Sequence, residues 1–262
     1  MIKTVFIRYN DVLWKEVMGF RIGALIAYPE RPKEKYDLCL IDIGFRGAKE
    51  DISVLHALKY YMDVTQNCST AFLITPDNNQ YYSKYSLKLA DLIKYLRNKA
   101  LREKFSNDVT WVLPIHGTSH FALYNTVCYD IVDFGFKCIY GLPSHRATIG
   151  MYDAFKFIDC SKEPQACINV NYFKIMKILD ANKNAEFHVM GCNRAIFSTF
   201  VKSKAFERVI SVDTESYRKK WPNESPDGRR MCDSTECPQW FLEWLEKAID
   251  GPILDVSPLL FF

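Results

Sequence analysis

Four polar side chains that could do chemistry follow directly on short apolar runs of the sequence. Asp42, Asp77 and Asp213 supply carboxylates. His116, followed by Gly117, supplies an imidazole. A carboxylate can act as a nucleophile at a glycosidic carbon, and a second one can transfer the proton that a leaving or entering base requires. Two displacements at one carbon retain its configuration, so these residues are candidates for glycosidic-bond chemistry.

Each of these residues also has a purely structural interpretation. Asp42 or Asp77 could close a turn through its own side chain, and His116 could be a hydrogen-bonded, half-buried histidine. Their placement at the ends of successive apolar runs favours a common site over separate turns. A further carboxylate and backbone N–H groups could then read the edge of a purine, where glycines allow the backbone to approach the flat ring.

The elements that must position these residues are eight short runs rich in Val, Ile, Leu and Phe, which alternate with longer amphipathic stretches. The predicted strands are Thr4–Arg8, Ile22–Tyr28, Leu38–Asp42, Ala71–Thr75, Thr110–Ile115, Lys137–Tyr140, Glu186–Met190 and Arg208–Val212. Eight buried strands alternating with helices favour a closed parallel barrel over an open doubly wound sheet. The chain has 262 residues, and such a barrel needs about 250. We therefore predict an α/β fold, a single TIM-type (β/α)8 barrel over residues 1–262, with its chemistry at the C-terminal ends of the strands.

Apolar residues recur at helical spacing between these strands. The predicted helices are Ser86–Glu103, Ser119–Asp133, Asn171–Asp180, Arg194–Lys204 and Gln239–Ile249. Residues 218–238, before the last helix, are polar and predict a long exposed loop. Its basic residues are Arg218, Lys219, Lys220, Arg229 and Arg230. They could bind phosphates, since Lys and Arg supply the sequence-independent part of nucleic-acid affinity, or they could simply be solvated.

The composition is that of a globular protein, with 48% apolar and 25% charged residues. A net charge of +3 is too small to identify a nucleic-acid partner by itself. The sequence has no apolar run of about 18 residues that would span a membrane, and residues 1–8 are too charged for a secretory signal. Nine scattered cysteines, such as Cys39, Cys128 and Cys138, predict reduced, buried thiols and a cytoplasmic location.

Six motifs between residues 38 and 219 occur in an order that resembles the tRNA-guanine transglycosylase superfamily. They are Leu38–Phe45, Ile74–Asp77, Val112–Gly117, Asp133–Leu142, Phe187–Gly191 and Val209–Thr214. The resemblance is greatest to the compact branch, found in phages and bacterial islands, that places 7-deazaguanines in DNA. Each motif is weak alone, and their common order carries the resemblance.

The resemblance implies a role for each matching residue. Asp213 matches the nucleophile, and Asp42 matches the acid/base residue. The implied base-binding residues are Asp77, His116, Gly117, Gly141, Leu142 and Gly191. The implied partners are DNA, or tRNA, and a free 7-deazaguanine base, without a membrane. Because the reacting bond is hidden in a duplex, the target nucleotide must be flipped out or single-stranded.

The zinc site of the tRNA enzymes has no counterpart in this sequence. That site uses three closely spaced cysteines and a later histidine. Here only Cys232 and Cys237 lie in the corresponding region, and no histidine follows His188. We therefore expect no cofactor, with zinc not favoured, and no full zinc subdomain. The missing subdomain and the short chain favour DNA over tRNA as substrate.

Two alternatives remain open. In a metal-dependent barrel hydrolase, His116, His188 and Asp213 would be the later ligands, but the early His-x-His pair of such enzymes is missing. The chain could also be a nucleic-acid-binding protein that has lost catalysis. Ile43, His116 and Tyr140 stand where the transglycosylases have Ser, Gln and the first Gly of a Gly-Gly-Leu turn, and fold alone does not guarantee activity.

Overall fold

The structure, a computed structural model, describes residues 2–43, 52–77, 82–105, 108–115, 121–143, 184–204, 207–220 and 230–251. The strands are β1 (Thr4–Arg8), β2 (Glu16–Val17), β3 (Phe20–Ala27), β4 (Tyr36–Asp42), β5 (Cys68–Ile74), β6 (Asp108–Pro114), β7 (Lys137–Pro143), β8 (Phe187–Met190), β9 (Val209–Asp213), β10 (Lys219–Lys220) and β11 (Arg230–Met231). The α-helices are α1 (Val54–Thr65), α2 (Tyr82–Leu96), α3 (Lys99–Arg102), α4 (Phe121–Asp133), α5 (Arg194–Lys202) and α6 (Cys237–Asp250). Two short 3-10 turns cover Tyr9–Asp11 and Ser216–Arg218.

Nine strands form one sheet in the order β1-β9-β8-β7-β6-β5-β4-β3-β2, and β1 also pairs with β3. The pairing of β1 with β3 closes a ring of eight parallel strands, while β2 is a short antiparallel partner of β3. Among the described residues, helices lie between β4 and β5, between β5 and β6, between β6 and β7 and between β8 and β9, and α6 follows β9. The prediction of a TIM-type (β/α)8 barrel is therefore confirmed. A closed ring leaves no unpaired edge among its strands.

By their internal contacts the residues group into two compact units. One comprises Met1–Ile22 and Leu142–Phe262, and the other comprises Gly23–Gly141. The first unit contains β1, β8, β9, α5 and α6, whereas the second contains β4, β5, β6 and helices α1 to α4.

Each unit has its own aromatic core. In the second unit, Trp111 of β6 is fully buried and meets Tyr61 of α1 edge to face, with ring centroids 5.8 Å apart. In the first unit, Trp244 of α6 lies 5.2 Å from Phe197 of α5. Such pairs stabilise by about 0.5–1.5 kcal/mol beyond the burial of their surface. They fix helices against the sheet and against each other.

All eight predicted strands are confirmed to within a few residues. The predicted helix Ser86–Glu103 divides into α2 and α3, because the side chain of Asn98 accepts a hydrogen bond from the Ala100 N–H at 3.0 Å and begins a new helix. Helix α1, which begins after the N-cap Ser53, was not predicted. The predicted helix Asn171–Asp180 lies outside the described residues. Among the helices that are described, none is long and apolar enough to cross a membrane.

The prediction of one long exposed loop over residues 218–238 is wrong where the segment is described. Lys219 and Lys220 form β10, which pairs antiparallel with Arg230 and Met231 of β11. The pairing satisfies backbone groups that a loop would leave to water. The last helix begins two residues before the predicted Gln239, with Pro238 in its first turn, where a missing N–H costs nothing.

The cysteines only partly match the expectation of reduced thiols. Cys128 and Cys138 are free thiols as predicted, but both are half-buried. Cys39, in contrast, forms a disulfide bond with Cys68 of the neighbouring strand, where their Cα atoms are 6.1 Å apart. A second disulfide joins Cys232 and Cys237. The expectation is therefore wrong for these four residues, because the pairing of β4 with β5 and the turn before α6 bring their side chains together.

Candidate functional site

Asp213 is the last residue of β9 in the first unit, at the end of the strand where barrel enzymes place their chemistry. Its Oδ1 accepts a hydrogen bond from His188 Nε2 at 2.9 Å, and its Oδ2 accepts one from the Gly191 N–H at 3.0 Å. Its side chain remains 14% exposed. The carboxylate is thus held through both oxygens by charge-assisted bonds while a part of it still reaches solvent.

The strand pairing explains how His188 reaches Asp213. Side chains alternate along a strand, so Ser211 and Asp213 lie on the same face of β9. In the parallel pairing of β8 with β9, His188 lies beside Ser211. The His188 Nδ1 and the Ser211 Oγ are 2.9 Å apart. Strand β1 lies on the opposite side of β9 from β8. The ring of its Phe6 packs edge to face against the imidazole of His188, with ring centroids 5.9 Å apart.

Gly191 directly follows β8 and adopts a positive φ of 66°, a conformation that disfavours residues with a Cβ. This turn directs its N–H to the carboxylate of Asp213. The next N–H, of Cys192, donates to the Asp213 carbonyl oxygen at 2.7 Å. The predicted base-binding residue Gly191 therefore uses its N–H to position the predicted nucleophile.

Cys192 is the one thiol described near Asp213. Its side chain is buried, and burial, followed by the negative charge of Asp213, raises the pKa of this thiol well above its ordinary value. Because the thiolate is the nucleophilic form of cysteine, the thiol is a poor nucleophile here. The partly exposed polar group of this cluster is instead the carboxylate of Asp213.

The other two predicted carboxylates belong to the second unit. Asp42 is the half-buried last residue of β4, and Asp77 lies three residues after the end of β5. Tyr61 of α1 contacts the end of β5, where its buried hydroxyl donates to the Ile74 carbonyl oxygen. Burial raises the pKa of Tyr61 well above its ordinary value, and the negative charges of Asp42 and Asp77 raise it further. Both carboxylates therefore lie within electrostatic range of one phenol.

Two side chains of α2 anchor the segment around Asp77 and the end of β6. Lys88 Nζ donates to the carbonyl oxygen of Asp77 at 3.3 Å and to that of Ile52 at 3.0 Å. The fully buried Tyr85 donates its hydroxyl to the carbonyl oxygen of Pro114 at 2.8 Å. The ends of β5 and β6 are thus fixed by a helix rather than left as free loops.

Gly141 and Leu142 were predicted to form a turn after β7, but they lie within that strand. Gly141 pairs with Pro114 of β6, and its carbonyl oxygen accepts from the Ile115 N–H at 2.9 Å. The strand is therefore longer than predicted, because this pairing continues past Tyr140. The ring of Tyr140 is buried, and its hydroxyl donates to Asn125 of α4 at 2.6 Å, so this departure from the family motif is accommodated on the helix side of the strand.

The predicted residues His116, Gly117 and Arg229 lie outside the described residues. Their assignments remain predictions.

Two residues of the basic segment are engaged within the protein. Arg218 Nε lies 3.5 Å from a carboxylate oxygen of Asp11. Arg230 pairs with Glu236 at 2.5 Å and stacks over Trp240. Lys219 is exposed on the hairpin. The positive charge that this segment can offer to a phosphate is therefore smaller than its sequence indicates.

No protein-family model, no curated protein and no solved structure matches this chain. The resemblance to the transglycosylases therefore rests on the motifs of this chain alone. Its fold is established by the structure, and its chemistry must be argued from the side chains.

No group of three or more His, Cys, Asp or Glu residues within the described ranges could hold a metal ion. The ring nitrogens of His188 are both hydrogen-bonded to protein groups. Cys232 and Cys237, the cysteines of the region that carries zinc in the tRNA enzymes, are joined in a disulfide and lack free thiolates.

Sequence reasoning missed His188 and Ser211 as partners of Asp213. Together they form a Ser–His–Asp hydrogen-bonded set of the kind that hydrolases use. In those enzymes the hydroxyl meets the substrate and the carboxylate is buried behind the histidine. Here the order is opposite, because Ser211 is only 1% exposed whereas Asp213 reaches solvent. The group of this set that reaches solvent is therefore the carboxylate and not the hydroxyl.

Proposed function

We propose that this protein is a base-exchange transglycosylase that replaces guanine in nucleic acid with a 7-deazaguanine derivative. The observation that carries the proposal is the carboxylate of Asp213, which ends a barrel strand, is oriented through both oxygens and remains open to solvent. A nucleophile held in one orientation loses less entropy when it attacks. The order of the six family-like motifs supports the choice of substrate.

The proposed exchange proceeds by two displacements at C1′ of the target nucleotide. Asp213 forms a bond to C1′ while the bond from C1′ to guanine breaks, which leaves a covalent ester between the enzyme and the nucleic acid. Asp42 gives a proton to the departing guanine and takes one from the ring nitrogen of the entering base. That nitrogen then displaces Asp213. Protons balance over the cycle, and the configuration at C1′ is retained.

In this proposal the base is read by the residues that the resemblance implies. Asp77 accepts from the N1–H and exocyclic amine of the base, and backbone N–H groups near Gly141 and Leu142 donate to its 6-oxo group. His116 and Gly117 complete the set. The substrate is DNA in preference to tRNA, with the target nucleotide flipped out of its stack. Lys219 and neighbouring basic residues contact phosphates, which fixes the register of the strand without reading sequence.

The geometry favours a carboxylate reaction over the two alternatives. As a metal ligand, His188 would have to give up one of its two hydrogen bonds, to Ser211 or to Asp213. A purely binding protein gives no reason for a carboxylate held by two donors at a strand end. Both alternatives predict that the chain exchanges no base.

The direct test measures modified nucleosides in cells that express the protein and receive 7-deazaguanine precursors. DNA and tRNA are digested separately and analysed by mass spectrometry. We expect a 7-deaza-2′-deoxyguanosine derivative in DNA with the wild type and none with Asp213→Asn. Asp133→Asn, which changes an exposed carboxylate on α4, is the matched control and should behave as the wild type.

Two results would overturn the proposal. One is full modification by a folded Asp213→Asn variant. The other is an absence of modified nucleosides in both nucleic acids when the precursors are confirmed inside the cells. Modification of tRNA alone would keep the chemistry and reverse the choice of substrate.

A further inference from the structure

Behind the carboxylate of Asp213 lies a histidine that water does not reach. His188 is 0% exposed, and both of its ring nitrogens are hydrogen-bonded. Nε2 lies 2.9 Å from Asp213 Oδ1, and Nδ1 lies 2.9 Å from Ser211 Oγ. Three side chains therefore form one chain of hydrogen bonds that begins at a buried hydroxyl and ends at a partly exposed carboxylate.

The partners of His188 determine where its ring protons lie. An ionised carboxylate only accepts hydrogen bonds, so Nε2 must donate to Asp213. A hydroxyl can either donate or accept, so Nδ1 could carry a lone pair or a second proton. Ser211 is only 1% exposed, so donation to Nδ1 gives its buried hydroxyl proton a partner within the protein. The ring of Phe6 packs edge to face against the imidazole and supplies no competing hydrogen bond.

We propose that Ser211 donates to Nδ1 and fixes His188 as the neutral tautomer with its proton on Nε2, and that His188 in this form positions Asp213 for attack. The proposal rests on the proposed function in one respect, since Asp213 is taken as the nucleophile. With the Gly191 N–H on Oδ2 and the imidazole on Oδ1, rotation of the carboxylate would break both bonds. His188 contacts no substrate in this scheme, so it is a positioning residue.

The tautomer can be measured without any assay of activity. In protein labelled with nitrogen-15 histidine, long-range proton–nitrogen spectra distinguish a protonated ring nitrogen from one with a lone pair. Of the five histidines, His188 is the one whose signals disappear in His188→Gln or, if that variant does not fold, shift in Ser211→Ala. We expect a protonated Nε2 and an unprotonated Nδ1 in the wild type. A protonated Nδ1 in the wild type overturns the proposal.

The positioning role is tested by the rate of base exchange in DNA. His188→Leu should lower kcat about 100-fold, since a displacement of about 1 Å costs that much, and should leave the KM of the entering base nearly unchanged. The amide of His188→Gln can accept from Ser211 and donate to Asp213, so this variant should recover part of kcat. Equal losses in folded Leu and Gln variants would contradict a positioning role.

The two measurements separate this proposal from the proposed function. A wild type that shows the expected nitrogen spectrum but exchanges no base overturns the function and supports the assigned tautomer. An active wild type with a protonated Nδ1 overturns the tautomer and supports the function.

Discussion

Replacing Asp11 with alanine would remove the acceptor at the centre of a buried cluster that joins the turn after β1 to the turn after β9. Asp11 is 1% exposed and accepts a hydrogen bond from the hydroxyl of Tyr217, which is equally well buried. Arg218 Nε lies 3.5 Å from the same carboxylate, and the arginine side chain is 21% exposed. Burial, and next the hydrogen bond to Asp11, raise the pKa of Tyr217 far above its ordinary value.

The expected loss of stability follows from what each partner would lack. The Tyr217 hydroxyl would become a buried polar group without a partner, which costs about 1–3 kcal/mol. Breaking a fully buried ion pair costs about 3–5 kcal/mol, but Arg218 reaches solvent, so its share falls to about 1 kcal/mol. We therefore expect Asp11→Ala to lower the free energy of unfolding by about 2–4 kcal/mol. Tyr217→Phe, which leaves the ion pair intact, should cost about 1–2 kcal/mol.

Urea unfolding of Asp11→Ala, Tyr217→Phe and the double variant measures both losses and their coupling. Because Tyr217→Phe removes the group that Asp11→Ala would leave unsatisfied, the double variant should be more stable than the sum predicts by about 1–2 kcal/mol. Asp133→Ala, on the exposed face of α4, is the control and should change stability by less than about 0.5 kcal/mol. A loss below about 0.5 kcal/mol for Asp11→Ala, or strict additivity, would refute the cluster.

Three further measurements test other parts of the structure. Burial raises the pKa of Tyr61 and of Tyr85. As the pH rises above about 10, the unfolded chain therefore loses these protons before the folded chain does. The free energy of unfolding should then fall by about 1.4 kcal/mol per pH unit for each tyrosine. Urea midpoints between about pH 9 and 11 should show a smaller slope in Tyr61→Phe or Tyr85→Phe, and an unchanged slope would contradict their burial. The disulfide between Cys39 and Cys68 closes a loop over a separation of 29 residues. Its reduction should lower the free energy of unfolding by about 3–4 kcal/mol, measured by unfolding with and without reductant. A Cys39→Ala/Cys68→Ala variant should respond to reductant only through the shorter disulfide. Gly191→Ala should cost about 1–2 kcal/mol, because its φ is positive, and an equally stable variant would argue against that turn.

The fold could be predicted because its strands are buried and short. Runs such as Leu38–Asp42 carry continuous apolar residues and end in a polar one, a pattern that parallel strands share and surface helices do not. Helix α1 was missed, although Ser53 is its N-cap. A Ser before an apolar stretch also occurs in turns. It indicates a helix N-cap only when the residues that follow it show helical periodicity.

The site was only partly predictable, for a physical reason. That Asp213 ends a strand is visible in the sequence, and so is the placement of Ser211 on the same face two residues earlier. Which residue of β8 lies beside them depends on the register between the two strands. That register shifts between Phe187 and His188. A shift of one residue would turn His188 to the opposite face, so its contact with Asp213 could not be read from spacing alone.

The direction of the Ser211–His188–Asp213 set decides which chemistry it can support. In a serine hydrolase the hydroxyl meets the substrate, and the imidazole takes its proton. Here the hydroxyl is buried and the carboxylate is partly exposed, so in the proposed reaction the imidazole, which donates to Asp213, would hold a carboxylate nucleophile that has no proton to lose. Attack of a carboxylate on an acyl group would give a reactive anhydride, whereas attack on a glycosidic carbon gives an ester that a second nucleophile can displace, as in retaining glycosidases. The arrangement therefore favours substitution at a sugar carbon over acyl transfer, on grounds that do not depend on the family resemblance.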